Sequence, residues 1–167
     1  MSTFSSIQDH IVMEKVECLN EDPNHTIRNL FSKNPSDHLL SDIDPQLLIS
    51  IPFLSPVKLS GIKFIWREDS NREAIPESVN LYINRISLGF GDAESLAPVQ
   101  KITHQELLSG TIIPLRFVLF QNVISLQLFI DSNVGGVEKT ELGKIELYGV
   151  VGENMNMKEF KKIREDD

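Results

Sequence analysis

From Leu47 to Val151 the apolar residues fall in short runs, several of them alternating with polar ones at every second position. That is the period at which side chains share one face of a β-strand. Leu47–Phe53 is short, β-branched and bounded by prolines, and the turn Leu54-Ser55-Pro56 separates it from Val57–Trp66. Val57 and Leu59 alternate with Lys58 and Ser60, whereas Ile62 and Phe64 continue on the opposite parity. The change of parity predicts a bulge or kink at Gly61. Further strands are expected at Val79–Ile83, Phe117–Phe120, Ser125–Asp131 and Lys144–Val150, the last with Ile145, Leu147 and Val151 on one face. Helical period is nearly absent, apart from one turn at His104–Leu108 behind the cap residue Thr103. Many short strands without βα alternation predict an antiparallel sandwich or barrel.

The segments between strands read as surface loops: the charged 67–76, the glycine-bearing and acidic 87–98, and 132–140, where Gly135-Gly136 suits a tight turn. Residues 1–45 are polar and rich in turn residues, and predict an irregular arm with one helical turn near Ile7–Met13. Ile11, Val16, Leu19, Ile27, Leu30 and Phe31 would pin that arm to the core, disorder being the alternative. Residues 152–167 form a charged tail in which Asn156 and Glu159 have capping-box spacing for a short helix.

Composition narrows the function. The chain has 167 residues and a net charge of −8, with 41% hydrophobic and 24% charged residues, as expected for one globular domain. An acidic balance disfavours nucleic acid as a partner, and no apolar run approaches the ~20 residues that span a bilayer. One cysteine excludes an intramolecular disulfide framework, a CxxC pair and a cysteine-based zinc site. The opening MSTFSSIQDH lacks the basic and apolar regions of a signal peptide, so a cytoplasmic or nuclear location is expected.

The candidate chemistry is thin. Cys18 stands between Glu17 and Glu21, which oppose thiolate formation, and is expected to be structural. His10, His25, His38 and His104 form no HExxH, H-x-H or Cys/His cluster, so no metal is expected. Gly89-Phe90-Gly91-Asp92 lacks both the third glycine and the βα context of a phosphate loop. The carboxylate pairs Asp42/Asp44, Asp92/Glu94 and Glu138/Glu141 read as charged loop faces, and Asn24-His25-Thr26 as an unused glycosylation pattern. Phe64, Trp66, Phe117, Phe120 and Phe129 are assigned to packing. No cofactor is implied.

At Pro114–Val123, PLRFVLFQNV, the chain resembles the PITH domain, the proteasome-interacting thioredoxin domain. Co-linear stretches support the resemblance: Val16–Glu21, Ser41–Ile49 followed by Pro56–Leu59, Ser125–Asn133, and Asn154–Lys161. It covers about residues 14–163, leaving residues 1–13 as an extension and 164–167 as a flexible acidic tail. The resemblance implies an all-β, antiparallel jelly-roll sandwich of galactose-binding-like type, with the irregular arm and the short C-terminal helix appended. It also implies a non-catalytic adaptor that docks on the regulatory particle of the proteasome; a monomer is expected, and neither nucleic acid nor membrane is expected as partner. No catalytic residue carries over, and the CxxC of thioredoxin-bearing relatives is missing. Among the matched positions Arg116, Gln121, Asn122 and Asn133 are the candidate partner contacts, each with a structural role as its competitor. A carbohydrate-binding sandwich is the alternative function, weakened because loops 67–76 and 132–140 hold no aromatic residue and 87–98 holds Phe90 alone. An enzyme ranks last.

Overall fold

The computed structural model describes residues 5–151. Along them run β1 (Glu17–Leu19), β2 (Leu39–Leu40), β3 (Leu47–Ile65), β4 (Ser78–Ile83), α1 (Phe90–Ser95), β5 (Gln100–Thr103), α2 (His104–Leu107), β6 (Ile113–Pro114), β7 (Val123–Ile130), β8 (Glu141–Leu142) and β9 (Lys144–Val150). All strand pairings are antiparallel. One layer runs β1-β3-β7-β4-β5, while β6 and β9 flank the other half of β3. No helix among the described residues is long and apolar enough to cross a membrane.

β3 belongs to both layers. Leu47–Pro52 pairs with β7, and Lys58–Ile65 pairs with β9. The turn expected at Leu54–Pro56 is instead a register break between Pro52 and Val57 inside one 19-residue strand. Pro52 and Pro56 explain the difference: a proline is compatible with extended backbone but donates nothing to a ladder. The chain therefore leaves β7 without reversing direction. Val12 donates to the Pro52 carbonyl there, and Ile11 bridges to Phe53. The expected irregularity at Gly61 is present, because β9 registers Gly149 with Leu59 but Tyr148 with Gly61.

Leu47, Ile49 and Ile51 interleave with Leu126, Leu128 and Ile130, all fully buried, against Leu59, Ile62, Phe64, Ile145 and Leu147 of the other layer. Each such side chain contributes about 1.5–3 kcal/mol of burial. The outer face of the larger layer is covered too. α1, in a segment expected to be an exposed loop, lays Ala93, Phe90 and Leu96 over Leu48, Tyr82 and Phe129. Asp92 accepts the Gly89 amide at 3.1 Å to start that helix, and the Tyr82 hydroxyl donates to the Ala93 and Leu96 carbonyls. This cover explains why β7 is buried at nearly every position and not at alternate ones.

Residues 5–45 of the arm are ordered, with 3₁₀ turns at Gln8–His10, Met13–Lys15 and Ile27–Phe31. Ile11, Val16, Ile27 and Leu30 are buried as expected. Leu19 is not: the β1 alternation turns Cys18 inward and leaves Leu19 exposed. Along the β9 edge Ile7 donates to the Leu147 carbonyl and Gly149 to that of Ser5, while the Gln8 amide caps Ile145 and Leu147. The helical turn behind Thr103 forms with a capping box, Thr103 Oγ1 accepting from the Glu106 amide. Loop 67–76 is partly interior, since Ala74 and Ile75 are buried. The expected helix and tail at 152–167 lie outside the described residues.

Candidate docking face

The run Arg116–Leu119 is neither a strand nor core. Phe117–Leu119 forms a 3₁₀ turn that crosses from one layer to the other between the buried anchors Leu115 and Phe120. With three residues per turn, the intervening side chains have no sheet face to share. Phe117 is 43%, Val118 82% and Leu119 45% exposed, so of the phenylalanines assigned here to packing, Phe120 is interior and Phe117 is not. An apolar run alone does not distinguish a buried strand from a projecting turn.

The knob is held at both ends. Leu115 donates to the Ser60 carbonyl and Leu59 to that of Phe120, each at 2.9 Å. Gln100 takes the Arg116 amide on Oε1 at 2.8 Å and gives Nε2 to the Pro114 carbonyl at 3.2 Å, joining the β5 edge to β6. Gln121 closes the turn through Nε2 to the Phe117 carbonyl at 2.6 Å. Beside it Asn84, at the left-handed φ of 59° that Asn tolerates, donates to the Asn122 carbonyl and accepts from the amides of Ile124 and Ser125. Asn84 is the positioning residue that sequence reasoning missed; its position directly after a strand, where a positive φ is needed, was the available signal.

Of the four sequence-derived contact residues, Arg116, Gln121 and Asn122 lie on this segment, Arg116 and Asn122 exposed. Asn133 does not. It is 4% exposed, with Nδ2 on the Val137 carbonyl and Thr140 Oγ1 and Oδ1 on the Val137 amide, so its side chain shapes the 133–137 turn and is not offered at the surface. Exposed Leu54 and Ile124 extend the apolar surface, because the register break between Pro52–Ser125 and Val57–Val123 sets their segments side by side.

A second feature is a polar cleft of about 820 Å³ on the outer face, lined by Glu77, Asn80, Glu94, Lys101, His104 and Asp131, among others. Its carboxylates already have partners: Glu77 accepts from Ser132, and Gln46 Nε2 bridges Glu94 and Asp131 at 3.0 and 2.8 Å. Phe129 in its lining is 3% exposed and meets the edge of Phe90, so it presents no platform to a sugar. Among the described residues no three His, Cys, Asp or Glu side chains group to hold a metal ion. Cys18 is pushed well above the usual thiol range, by burial first and by Glu21 second, against a small pull from the Leu48 backbone, and is no nucleophile at neutral pH.

Two antiparallel layers with a shared bent strand place the molecule among galactose-binding-like β-sandwiches. An F5/8 type C domain from Bacteroides fragilis aligns with a TM-score of 0.64 at 11% identity, over 90% of this chain and 99% of that one. A CBM32 domain of Clostridium perfringens, in complex with GalNAc-beta-1,3-galactose, aligns at 0.60 and 11% identity, over 81% of this chain and 94% of that one. Likeness at such identities shows the fold alone. Within that class the chain belongs to the PITH domain family, whose model matches residues 1–165. It is 44% identical over 150 residues to Thioredoxin-like protein 1 of Schizosaccharomyces pombe, covering 87% of this chain and 51% of that protein. It is 31% identical over 145 residues to PITH domain-containing protein 1 of Homo sapiens, covering 83% and 66%. The chain thus spans about half the length of the fission-yeast relative.

Proposed function

We propose that this chain is a non-catalytic protein-interaction module that docks on the regulatory particle of the proteasome, acting in the cytoplasm and nucleus. The observation that carries the reading is the clamped, solvent-facing Phe117–Leu119 turn. Three exposed apolar side chains on a fixed backbone favour a protein partner, because little ordering entropy is left to lose on binding. Family membership supplies the choice of partner. Thioredoxin-type reduction is left aside, because the chain holds a single cysteine. The test is affinity purification of the tagged full chain from native lysate at low salt with ATP. Recovery of regulatory-particle subunits is the expected result, and their absence refutes the reading.

A glycan-binding reading draws on the polar cleft. It is the weaker of the two for want of an exposed aromatic in that cleft. Specific, competable binding on a glycan array would reverse the order.

A further inference from the structure

We propose that the knob and its rim form a seat for an acidic protein segment bearing bulky apolar side chains; the inference rests on the protein-interaction reading above and specifies its partner's chemistry. Three stretches build this end of the molecule: 52–58, 84–88 and 114–125. Together they hold Lys58, Arg85 and Arg116 and not one Asp or Glu, in a chain whose net charge is −8. They are brought together by the Asn84 bonds to Asn122, Ile124 and Ser125, by the Leu59–Phe120 bond and by the Val57–Val123 pairing. None of the three cations takes part in an ion pair among the described residues. Glu17 and Asp92 line the hollows beside Arg85, Asp92 being held by the Gly89 amide, and Asp9 and Glu14 lie on the arm segment that meets Pro52 and Ser55 through Val12 and His10.

Charge decides the occupant. A partner surface that placed cations here would meet three that have no ion-pair partner among the described residues, whereas carboxylates would be steered to a rim that offers them donors. Leu54, Val118 and Ile124, exposed on the same stretches, supply the apolar contact that slows dissociation. An anionic bilayer fits less well. Juxtamembrane basic clusters that hold to such surfaces have about four to eight Lys or Arg, and the negative charge of the rest of this chain opposes approach.

The test selects peptides from a random twelve-residue display library on the full chain. Winners are then measured by fluorescence anisotropy against the wild type, Val118→Asp and the double variant Arg85→Glu/Arg116→Glu. Selected peptides rich in Asp or Glu with Leu, Ile or Phe, bound at least tenfold more weakly by both variants, are expected. The thermal midpoint of Val118→Asp should match the wild type, showing that the loss is local. Basic or uncharged winners, no enrichment, or binding unchanged by either variant overturns the proposal. So does capture of the wild type by phosphatidylserine vesicles in preference to the peptides, or a concentration-dependent dimer that Val118→Asp abolishes. Regulatory-particle capture run in parallel separates the two readings. Acidic peptides lost in the variants with no proteasome recovered support the seat and refute that partner; proteasome recovered with no acidic peptide selected does the opposite.

Discussion

Arg67 and Glu141 form a forked pair across the end of the sandwich. Arg67 Nε meets Glu141 Oε2 at 3.0 Å and Nη2 meets Oε1 at 2.8 Å, with the Glu141 side chain 3% exposed. Two parallel bonds fix the geometry of the pair as well as its charge. Removing the guanidinium leaves a carboxylate buried without its cation. Arg67→Ala is therefore expected to cost about 3 kcal/mol, a fall of roughly 6–12 °C in Tm for a domain of this size. Calorimetry of this variant beside Arg67→Ala/Glu141→Gln should show partial recovery in the double variant, since the uncompensated charge is then gone. Equal losses in both would mean that packing, not charge, holds the site.

Val118 and Phe120, two residues apart, should respond in opposite ways. Phe120 is fully buried, so Phe120→Ala is expected to destabilise by about 3–5 kcal/mol. Val118→Asp faces water and should stay within about 0.5 kcal/mol of the wild type. Urea melts of the two variants check this, and a large loss in Val118→Asp would show the knob to be part of the core.

Gly149 lies opposite the register shift of β3. A Cβ there would stand 2.0 Å from the Lys58 carbonyl oxygen, and one on Gly143 equally close to that of Ile65. Backbone atoms cannot swing away as a side-chain tip can. Gly149→Ala and Gly143→Ala should each lose about 3 kcal/mol, the upper end for forced overpacking, as read by chemical denaturation. Gly91→Ala meets no atom within 4 Å and serves as the control.

The Cys18 thiol should resist reagents while the chain is folded. Burial and Glu21 keep it protonated at pH 8, and the thiolate is the reacting form. Its reaction with a colorimetric disulfide reagent is expected to be at least a hundredfold slower in buffer than in denaturant. Equal rates would place Cys18 at the surface.

Tyr148 links stability to alkaline pH. Burial first, then the hydrogen bond to Glu146 at 2.5 Å, pushes its phenol up to about 12. The folded chain keeps a proton that the unfolded chain gives up near pH 10, so this contribution is whole below pH 10 and is lost as pH climbs to about 12. Denaturation midpoints of wild type and Tyr148→Phe, followed from pH 9 to 12, should show the wild type falling relative to the variant. Parallel curves would contradict the assignment.

The sequence carried the sandwich wherever one face of a strand was buried and the other wet, as at Lys144–Val150, and wherever a cap stated its purpose, as at Thr103. It misled where burial was two-sided or apolar residues faced out. Leu47–Trp66 reads as two strands because prolines punctuate it, yet proline breaks a ladder without turning a chain. Gly89–Ser95 reads as a loop because its helix is short and its apolar residues few; what orders it is the outer face of Tyr82 and Phe129, which lies elsewhere in the chain. Of the candidate contacts, Arg116, Gln121 and Asn122 share the segment of the exposed turn. Asn133 is interior because its amide matches the turn beside it, a fit that only the folded backbone displays.

The long strand β3 finally sets the order in which the chain can be made. Its first half needs β7, residues 123–130, and its second half needs β9, residues 144–150. On a ribosome, residues 47–65 therefore emerge long before either neighbour exists, and neither layer can close until almost the whole domain has been synthesised. Distant pairing of this kind folds slowly, so the nascent chain spends much of its synthesis with that strand mated only along Leu48–Ser50, where the earlier β1 meets it, a stage at which chaperones would find it.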